Sequence, residues 1–141
     1  MSCTPQSVTL SQALNMTRGV TGMSSMARAF GHAVRVYDVG FNGDVPESSS
    51  VFSCKVRRST ENLAVRPAMT EADVLQAISV GIAAAERAKQ DAFDADGIGE
   101  MGIVTTTTSA AVLCALTGAA SAQVTGRGGG LNDKSYKKSC A

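Results

Sequence analysis

The sequence of 141 residues predicts an α/β fold with a parallel sheet, of the Rossmann-like three-layer kind and incomplete in this chain. The predicted elements follow the order helix, strand, loop, helix, strand and helix, which is typical of parallel strands joined by crossover helices. Only two or three segments have strand character, and so few strands leave the edges of a sheet unpaired. We therefore expect residues 1–141 to form a single partial domain.

The composition is that of a globular protein, with 44% apolar and 18% charged residues. Thirteen basic and twelve acidic side chains nearly cancel, so the sequence lacks the basic excess of a nucleic-acid or membrane-surface binder. No apolar run approaches the ~20 residues of a membrane span, and the first residues do not resemble a signal peptide. We expect a cytoplasmic protein with no nucleic-acid or membrane partner.

The first third of the chain predicts helices and then a strand. Residues 8–30 carry apolar positions at helical spacing, interrupted near Gly19 and Gly22, which predicts two helical pieces. The run AVRVYDVG at 33–40 predicts a buried parallel strand, with Asp38 close to its C-terminal end, where a ligand could face it.

The middle of the chain predicts a long irregular segment and an amphipathic helix. Residues 42–50 are polar and rich in turn-forming residues, and 51–69 show little regular period, which favours a functional loop. Thr70 is a helix cap with acidic residues in the following turn. The inner face of that helix is predicted to consist of Leu75, Ile78, Ile82 and Ala85.

The last third predicts a weak strand, a helix and a polar tail. The second strand is expected at 93–99, although Asp94 and Asp96 weaken it, and a helix is expected over about 107–117, ending at Gly118. A glycine-rich turn and a polar tail follow.

The cysteines and the single histidine, His32, do not predict a metal site. Cys3, Cys54, Cys114 and Cys140 lie far apart and form no CxxC pair. We expect reduced thiols, with Cys114 buried in a helix, and neither a metal nor an organic cofactor is indicated.

The stretch GIGEMGIVTTTTSAAVLCALTG at 97–118 carries the strongest chemical signal. Glycines let the backbone lie close to a ligand, and threonines ahead of a helix can leave its N–H groups open to an anion. A carboxylate, Glu100, lies beside this anion site, where a like charge would repel a phosphate. The stretch therefore predicts a pocket for an anion on one side and a neutral or cationic group on the other.

Four motifs in this sequence resemble those of the nicotinate-nucleotide–dimethylbenzimidazole phosphoribosyltransferase family. In chain order they are VRVYDVG at 34–40, NLAVRPAMT at 62–70, GEMGIVTTTTSAAVLCALTG at 99–118 and VTGRGGGLND at 124–133. The resemblance covers almost the whole chain but only the middle of a family member, whose further N-terminal and C-terminal parts would complete the domain and its sheet.

The resemblance implies an enzyme of cobalamin biosynthesis. Family members transfer phosphoribose from nicotinate mononucleotide to 5,6-dimethylbenzimidazole, giving α-ribazole 5′-phosphate and nicotinate. The family's catalytic base is a glutamate in the C-terminal part, and no residue here matches it, so we expect the isolated chain to be inactive. The expected partners are the small-molecule substrates and either a second copy or a complementing chain.

The resemblance implies substrate-binding roles for particular residues of these motifs. It also implies that Glu100 is an auxiliary group that stabilises positive charge at the anomeric carbon. The expected substrate-binding residues are Gln12, Gly99, Glu100, Met101, Gly102, Ile103, Thr106, Thr107, Gly126, Arg127, Gly128 and Lys138, with Ser2 as a looser match. Structural roles compete with several of these assignments. Glu100 would also suit a helix dipole, the threonines could act only as caps, and Arg127 could form a structural ion pair.

Three positions depart from the family pattern. Val104 replaces a glycine and Thr105 an asparagine, while Ser139 stands where the family has a phosphate-binding lysine, one residue after Lys138. Because a β-branched residue tolerates positive φ poorly, we expect the loop at Val104 to depart from the family conformation.

Other classes are less well supported by the sequence. No P-loop motif occurs, and one RGG triplet without aromatics is weak evidence for RNA binding. The main alternative is a non-catalytic relative that binds a nucleotide or a partner subunit.

Overall fold

Eight helices and strands form in the computed structural model, which describes residues 4–128 and 130–140. They are α1 (Val8–Thr17), α2 (Gly22–Ala29), β1 (Val36–Asp38), β2 (Val51–Ser53), α3 (Glu71–Gln90), α4 (Thr105–Thr117), α5 (Ser121–Val124) and α6 (Asp133–Cys140). The chain divides into two units. Thr9–Glu100 form the strand unit, and the described residues before and after it form the α4 unit. No described helix has both the length and the apolar character needed to cross a bilayer.

The two strands of the strand unit pair in parallel, so an α/β fold with a parallel sheet is confirmed. Val36 pairs with Val51, and both pack against Ala13 of α1 in the main apolar core. On the next pair the Tyr37 and Phe52 rings stack 5.0 Å apart. Because side chains alternate along a strand, this aromatic pair lies on the sheet face opposite the valines.

The position of the second strand was predicted wrongly. It is β2, at the start of the segment predicted to be irregular, whereas residues 93–99 form neither a helix nor a strand. Val51 and Phe52 supply the β-branched and aromatic side chains that pack on a pleated surface. Asp94 and Asp96 lack that property, and the described residues around them are exposed.

The helical predictions before residue 91 are confirmed in position but not in orientation. A capping box begins α3, since the Thr70 hydroxyl accepts from the Asp73 amide at 3.2 Å and the Asp73 carboxylate from the Thr70 amide at 3.0 Å. The predicted inner face is exposed, however, with Leu75 at 59%, Ile78 at 54% and Ile82 at 56%. The half-buried positions are Asp73, Ala77, Val80, Ala84 and Ala88. Small side chains thus face the strand unit, and large apolar ones face outwards.

The prediction that Asp38 faces a ligand is wrong. Its side chain is fully buried, with one oxygen accepting from the Phe41 amide at 2.8 Å and the other lying 2.6 Å from Lys55 Nζ. Lys55 also donates to the Phe41 and Gly43 carbonyls at 2.9 and 3.0 Å. A buried carboxylate requires such compensation, so the pair fixes the loop after β1 to the segment after β2.

An ion-pair network holds the rest of the irregular segment. Arg57 donates to Glu61 at 3.0 Å and to Asp73 at 3.2 Å, and Arg66 also pairs with Glu61. The hydrogen bond from Arg66, with a smaller contribution from Arg57, lowers the pKa of Glu61. The hydrogen bonds from Thr70, with a smaller contribution from Arg57, lower the pKa of Asp73.

In the α4 unit, α4 begins at Thr105, two residues before the predicted start, and ends as predicted at Gly118, whose φ is +70°. Cys114 is half-buried in it. The predicted polar tail also contains helices, because α5 and α6 follow. The apolar period used to find helices is absent from DKSYKKSC, so that helix was missed.

Val104, the residue before α4, has φ +80° and ψ 0°, the left-handed conformation that glycine adopts without steric cost. The β-branched side chain therefore does not exclude the left-handed backbone here, and the expected departure of the loop from the family conformation stays a prediction. The conformation is kept at the cost of local strain, on the order of 1–3 kcal/mol for such outliers.

We expect Lys55→Met to lower the free energy of unfolding by about 3 kcal/mol, because it leaves the buried Asp38 carboxylate unpaired. Urea unfolding followed by circular dichroism measures this loss. Lys134→Met, which removes an exposed lysine, is the control and should change the value by less than about 0.5 kcal/mol. Equal effects of the two substitutions would contradict the structural role of Lys55.

We expect Val104→Gly to raise stability by about 1 kcal/mol, since relief of strain exceeds the entropy that glycine adds to the unfolded chain. Val104→Asn should recover more of this gain than Val104→Ala, because asparagine tolerates left-handed backbone. Thermal unfolding of the three variants ranks them. A less stable glycine variant would show that residue 104 is not left-handed.

Stability should fall in acid because of Glu61 and Asp73. Their folded-state pKa values are lowered, so their contribution is complete above the ordinary carboxyl pKa of about 4 and is lost as the pH falls through the lowered values. Urea midpoints measured from pH 6 downwards should therefore decline less steeply in Glu61→Gln than in the parent. Glu86→Gln, on an exposed carboxylate of α3, should leave the slope unchanged.

Candidate functional site

The N-terminus of α4 presents backbone donors at the residues that the sequence assigns to the substrate. Thr107 N–H is used within the turn, since it donates to the Val104 carbonyl at 3.0 Å, and Thr105 N–H donates to Gly102 at 3.2 Å. Among the described residues, the amides of Gly102 and Thr106 have no protein acceptor. The amides of Gly102 and Thr106 are thus open to a ligand, and the amide of Thr107 supports the helix start.

The glycine-rich loop after α5 lies against that helix start. Gly128 has φ +51° and Gly130 has φ +95°, so the loop requires glycine at both positions. A Cβ atom at Gly128 would lie 3.0 Å from Thr106 Oγ1. The structure therefore brings together Thr106 and Gly128, two predicted site residues that are far apart in the sequence.

Arg127, between Gly126 and Gly128, is engaged by its own loop. Its guanidinium donates to Asp133 at 2.6 Å and to the Leu131 carbonyl at 3.1 Å, and its Cζ lies 5.1 Å from the centre of the Tyr136 ring. The hydroxyl of Tyr136 in turn donates to the Thr125 carbonyl at 3.1 Å. This is the structural ion pair that the sequence left open as an alternative to anion binding.

The remaining predicted residues lie on other elements. Gly99 and Glu100 are exposed in the loop that ends the strand unit, and Gln12 is half-buried on α1. Met101 and Ile103 are half-buried at the start of the α4 unit, and Gly126 is exposed at the start of the glycine loop. The side chain of Lys138 and all of Ser2 lie outside the described residues. The substrate-binding roles of these residues stay predictions.

The α4 unit can offer a small anion two kinds of contact. The Gly102 and Thr106 amides lie at the positive end of the helix dipole, where negative charge is stabilised. The glycine loop brings backbone without side-chain bulk to the Thr106 hydroxyl. Backbone donors of this kind suit a phosphate group.

Sequence reasoning missed Lys55 and Arg57 as the residues that order the segment before α3. The only sequence signal was their position in KVRR at 55–58, which begins two residues after the end of β2. A lysine or arginine in a polar segment usually points into solvent, so the buried carboxylate at Asp38 had to be located before Lys55 could be assigned. Within the described part of the chain, no three His, Cys, Asp or Glu side chains form a group that could hold a metal ion.

Comparison with known proteins gives concordant results. The profile of a phosphoribosyltransferase family matches residues 1–141. A nicotinate-nucleotide–dimethylbenzimidazole phosphoribosyltransferase of Clostridium perfringens is 43% identical over 134 residues, which is 95% of this chain and 37% of the relative. A protein of the same name from a Geobacter species is 39% identical over 137 residues, 97% of this chain and 39% of the relative.

A solved structure agrees in backbone as well as in sequence. The crystal structure of CobT from Thermus thermophilus matches with a TM-score of 0.93 at 38% identity, over 98% of this chain and 41% of that chain. The chain therefore spans about two fifths of the length of the relatives that it matches. Because the family profile covers the whole sequence, the chain belongs to this phosphoribosyltransferase family.

Proposed function

We propose that the protein transfers phosphoribose from nicotinate mononucleotide to 5,6-dimethylbenzimidazole, giving α-ribazole 5′-phosphate and nicotinate, in cobalamin biosynthesis. The relatives named above are called by this activity. In this proposal the 141 residues belong to a Rossmann-like, three-layer domain of a cytoplasmic enzyme. They supply the part of the site that holds the phosphate of the nucleotide, and the rest of the site lies outside these residues. The expected protein partner is a second copy or a complementing chain.

The observation that carries the proposal is the contact between the glycine loop and the start of α4. Two family motifs meet where Gly128 lies against Thr106, beside amides without a protein acceptor. A ribose 5-phosphate needs such donors, because phosphoryl oxygens accept hydrogen bonds and carry negative charge.

Glu100 has the second role in the proposed reaction. As the bond between nicotinate and ribose breaks, positive charge grows at the anomeric carbon, and a carboxylate held nearby stabilises that charge. The proton of the benzimidazole goes to a base outside residues 1–141, since none of these residues matches the family's base. Glu100 accordingly acts on charge and not on the proton.

A non-catalytic relative that binds the nucleotide or a partner subunit is the second candidate. The ion pair of Arg127 with Asp133 favours it, because that arginine is already engaged. This candidate shares the phosphate contacts but predicts no turnover in any mixture.

The direct test of activity is complementation. The purified chain is mixed with the C-terminal segment of the Clostridium perfringens relative, given both substrates, and nicotinate is followed by chromatography. We expect release from the mixture and none from either part alone. Binding of nicotinate mononucleotide without release would favour the non-catalytic candidate, and neither binding nor release by a folded chain would overturn the proposal.

We expect Glu100→Gln to lower kcat in the active mixture by about 100-fold, with little change in the Kd for nicotinate mononucleotide, because its charge acts mainly in the transition state. Glu86→Gln, an exposed acid on α3, is the matched control. A rise in Kd at unchanged kcat would assign Glu100 to ground-state binding.

We expect Gly128→Val to weaken binding of nicotinate mononucleotide at least tenfold by calorimetry. The new side chain meets both a left-handed backbone and the Thr106 hydroxyl. Gly22→Ala, at a glycine with open space around it, should leave the affinity unchanged. Unchanged affinity in Gly128→Val would place the phosphate elsewhere.

A further inference from the structure

Helix α1 rests on the loop that follows β1. A Cβ atom at Gly43 would lie 3.6 Å from Leu10 Cδ2, so the backbone of the loop lies close against the helix at this point. Phe41 and Val45, on either side of Gly43, pack against the apolar core that contains Ala13 of α1. The loop therefore sets how α1 lies on the strand unit.

One ammonium group holds this loop in place. Lys55 Nζ donates to the carbonyls of Phe41 and Gly43, at 2.9 and 3.0 Å, and lies 5.4 Å from the centre of the Phe41 ring. The fully buried carboxylate of Asp38 balances its charge from 2.6 Å. The two carbonyls belong to the residues on which α1 rests, so loss of the ammonium frees the loop beneath the helix.

Gln12 lies on α1 between the positions that the loop contacts. It comes two residues after Leu10 and directly before Ala13, and it is half-buried. Within residues 4–128 and 130–140, its side-chain amide has no hydrogen-bond partner in the protein. An uncharged carboxamide both donates and accepts, which suits a neutral heteroaromatic base better than a phosphate.

We propose that Lys55 is a positioning residue for the aromatic base of the proposed reaction. Lys55 fixes the loop, the loop fixes α1, and α1 holds the Gln12 amide where the base binds. Lys55 thus acts on the base through Gln12 and not by contact. This inference rests on the proposed function, because it takes 5,6-dimethylbenzimidazole as the substrate that Gln12 meets.

The test is a double-mutant cycle on the Kd for 5,6-dimethylbenzimidazole. Calorimetry is carried out on the full chain mixed with the C-terminal segment of the Clostridium perfringens relative, with that segment alone as the blank. We expect Gln12→Ala to raise the Kd about tenfold, because the hydrogen bonds of the amide are lost. Lys55→Met should raise it about fivefold in the parent and less than about twofold in the Gln12→Ala background, since its effect passes through that side chain.

Two substitutions of Gly43 test the loop without altering the ion pair. The backbone at Gly43 is not left-handed, and Gly43→Ala places its Cβ atom at an ordinary contact distance from Leu10, so the Kd should not change. Gly43→Ile adds atoms beyond Cβ that displace Leu10 and α1, so the Kd should rise about threefold. This comparison decides the question even where Lys55→Met is too unstable for calorimetry.

Arg58→Met is the matched control for Lys55→Met. It removes a cation that pairs with the same loop at the exposed Asp44, and it should change the Kd less than about twofold. The Kd for nicotinate mononucleotide should remain at the parent value in every variant, because the proposed phosphate site lies in the α4 unit.

An equal loss from Lys55→Met in both backgrounds, or an equal rise in Kd for both substrates, would overturn the positioning role and leave the proposed function standing. So would an unchanged Kd for the base in Gln12→Ala. A mixture of folded parts that binds neither substrate would overturn the proposed function and this inference together.

Discussion

The structure of the strand unit depends on the buried ion pair between Asp38 and Lys55. A fully buried carboxylate at the end of β1 is costly unless a cation and hydrogen bonds compensate it. Lys55 provides the cation and also binds two carbonyls of the loop after β1. The segment that follows is thereby fixed next to β2. From that segment Arg57 reaches the cap of α3 at Asp73. Ion pairs as well as apolar contacts thus hold the segment that connects the sheet to α3.

The sequence predicted elements that are encoded locally and missed those set by contacts distant in the chain. Thr70 and Asp73 form a capping box, and Gly118 ends α4 in left-handed backbone, as local chemistry requires. β2 was missed because a strand of three residues is too short to show an alternating pattern. Its pairing with Val36 is a tertiary contact, which the local sequence does not reveal. The inward face of α3 was predicted wrongly because two of its stripes, one of alanines and one of larger residues, both have helical spacing.

The residues of the candidate site were named from the sequence, and their binding roles stay predictions, whereas the geometry that brings two of them together could not be predicted. The motifs around Thr106 and Gly128 were recognised separately, and only the fold brings the two positions within contact distance. The engagement of Arg127 by Asp133 also depends on α6, a helix without an apolar period. At Val104 the local sequence was misleading. A β-branched residue disfavours left-handed backbone, yet the surrounding turn imposes that conformation.

The most direct test of the central claim, that the start of α4 and the glycine loop form one phosphate site, is a titration of the nitrogen-15-labelled chain with nicotinate mononucleotide, read from its amide resonances. The amides of Gly102, Thr106 and Gly128 should shift together along one binding curve, and inorganic phosphate should shift them in the same directions. A well-dispersed spectrum in which these three amides stay fixed at saturating nucleotide would contradict the claim.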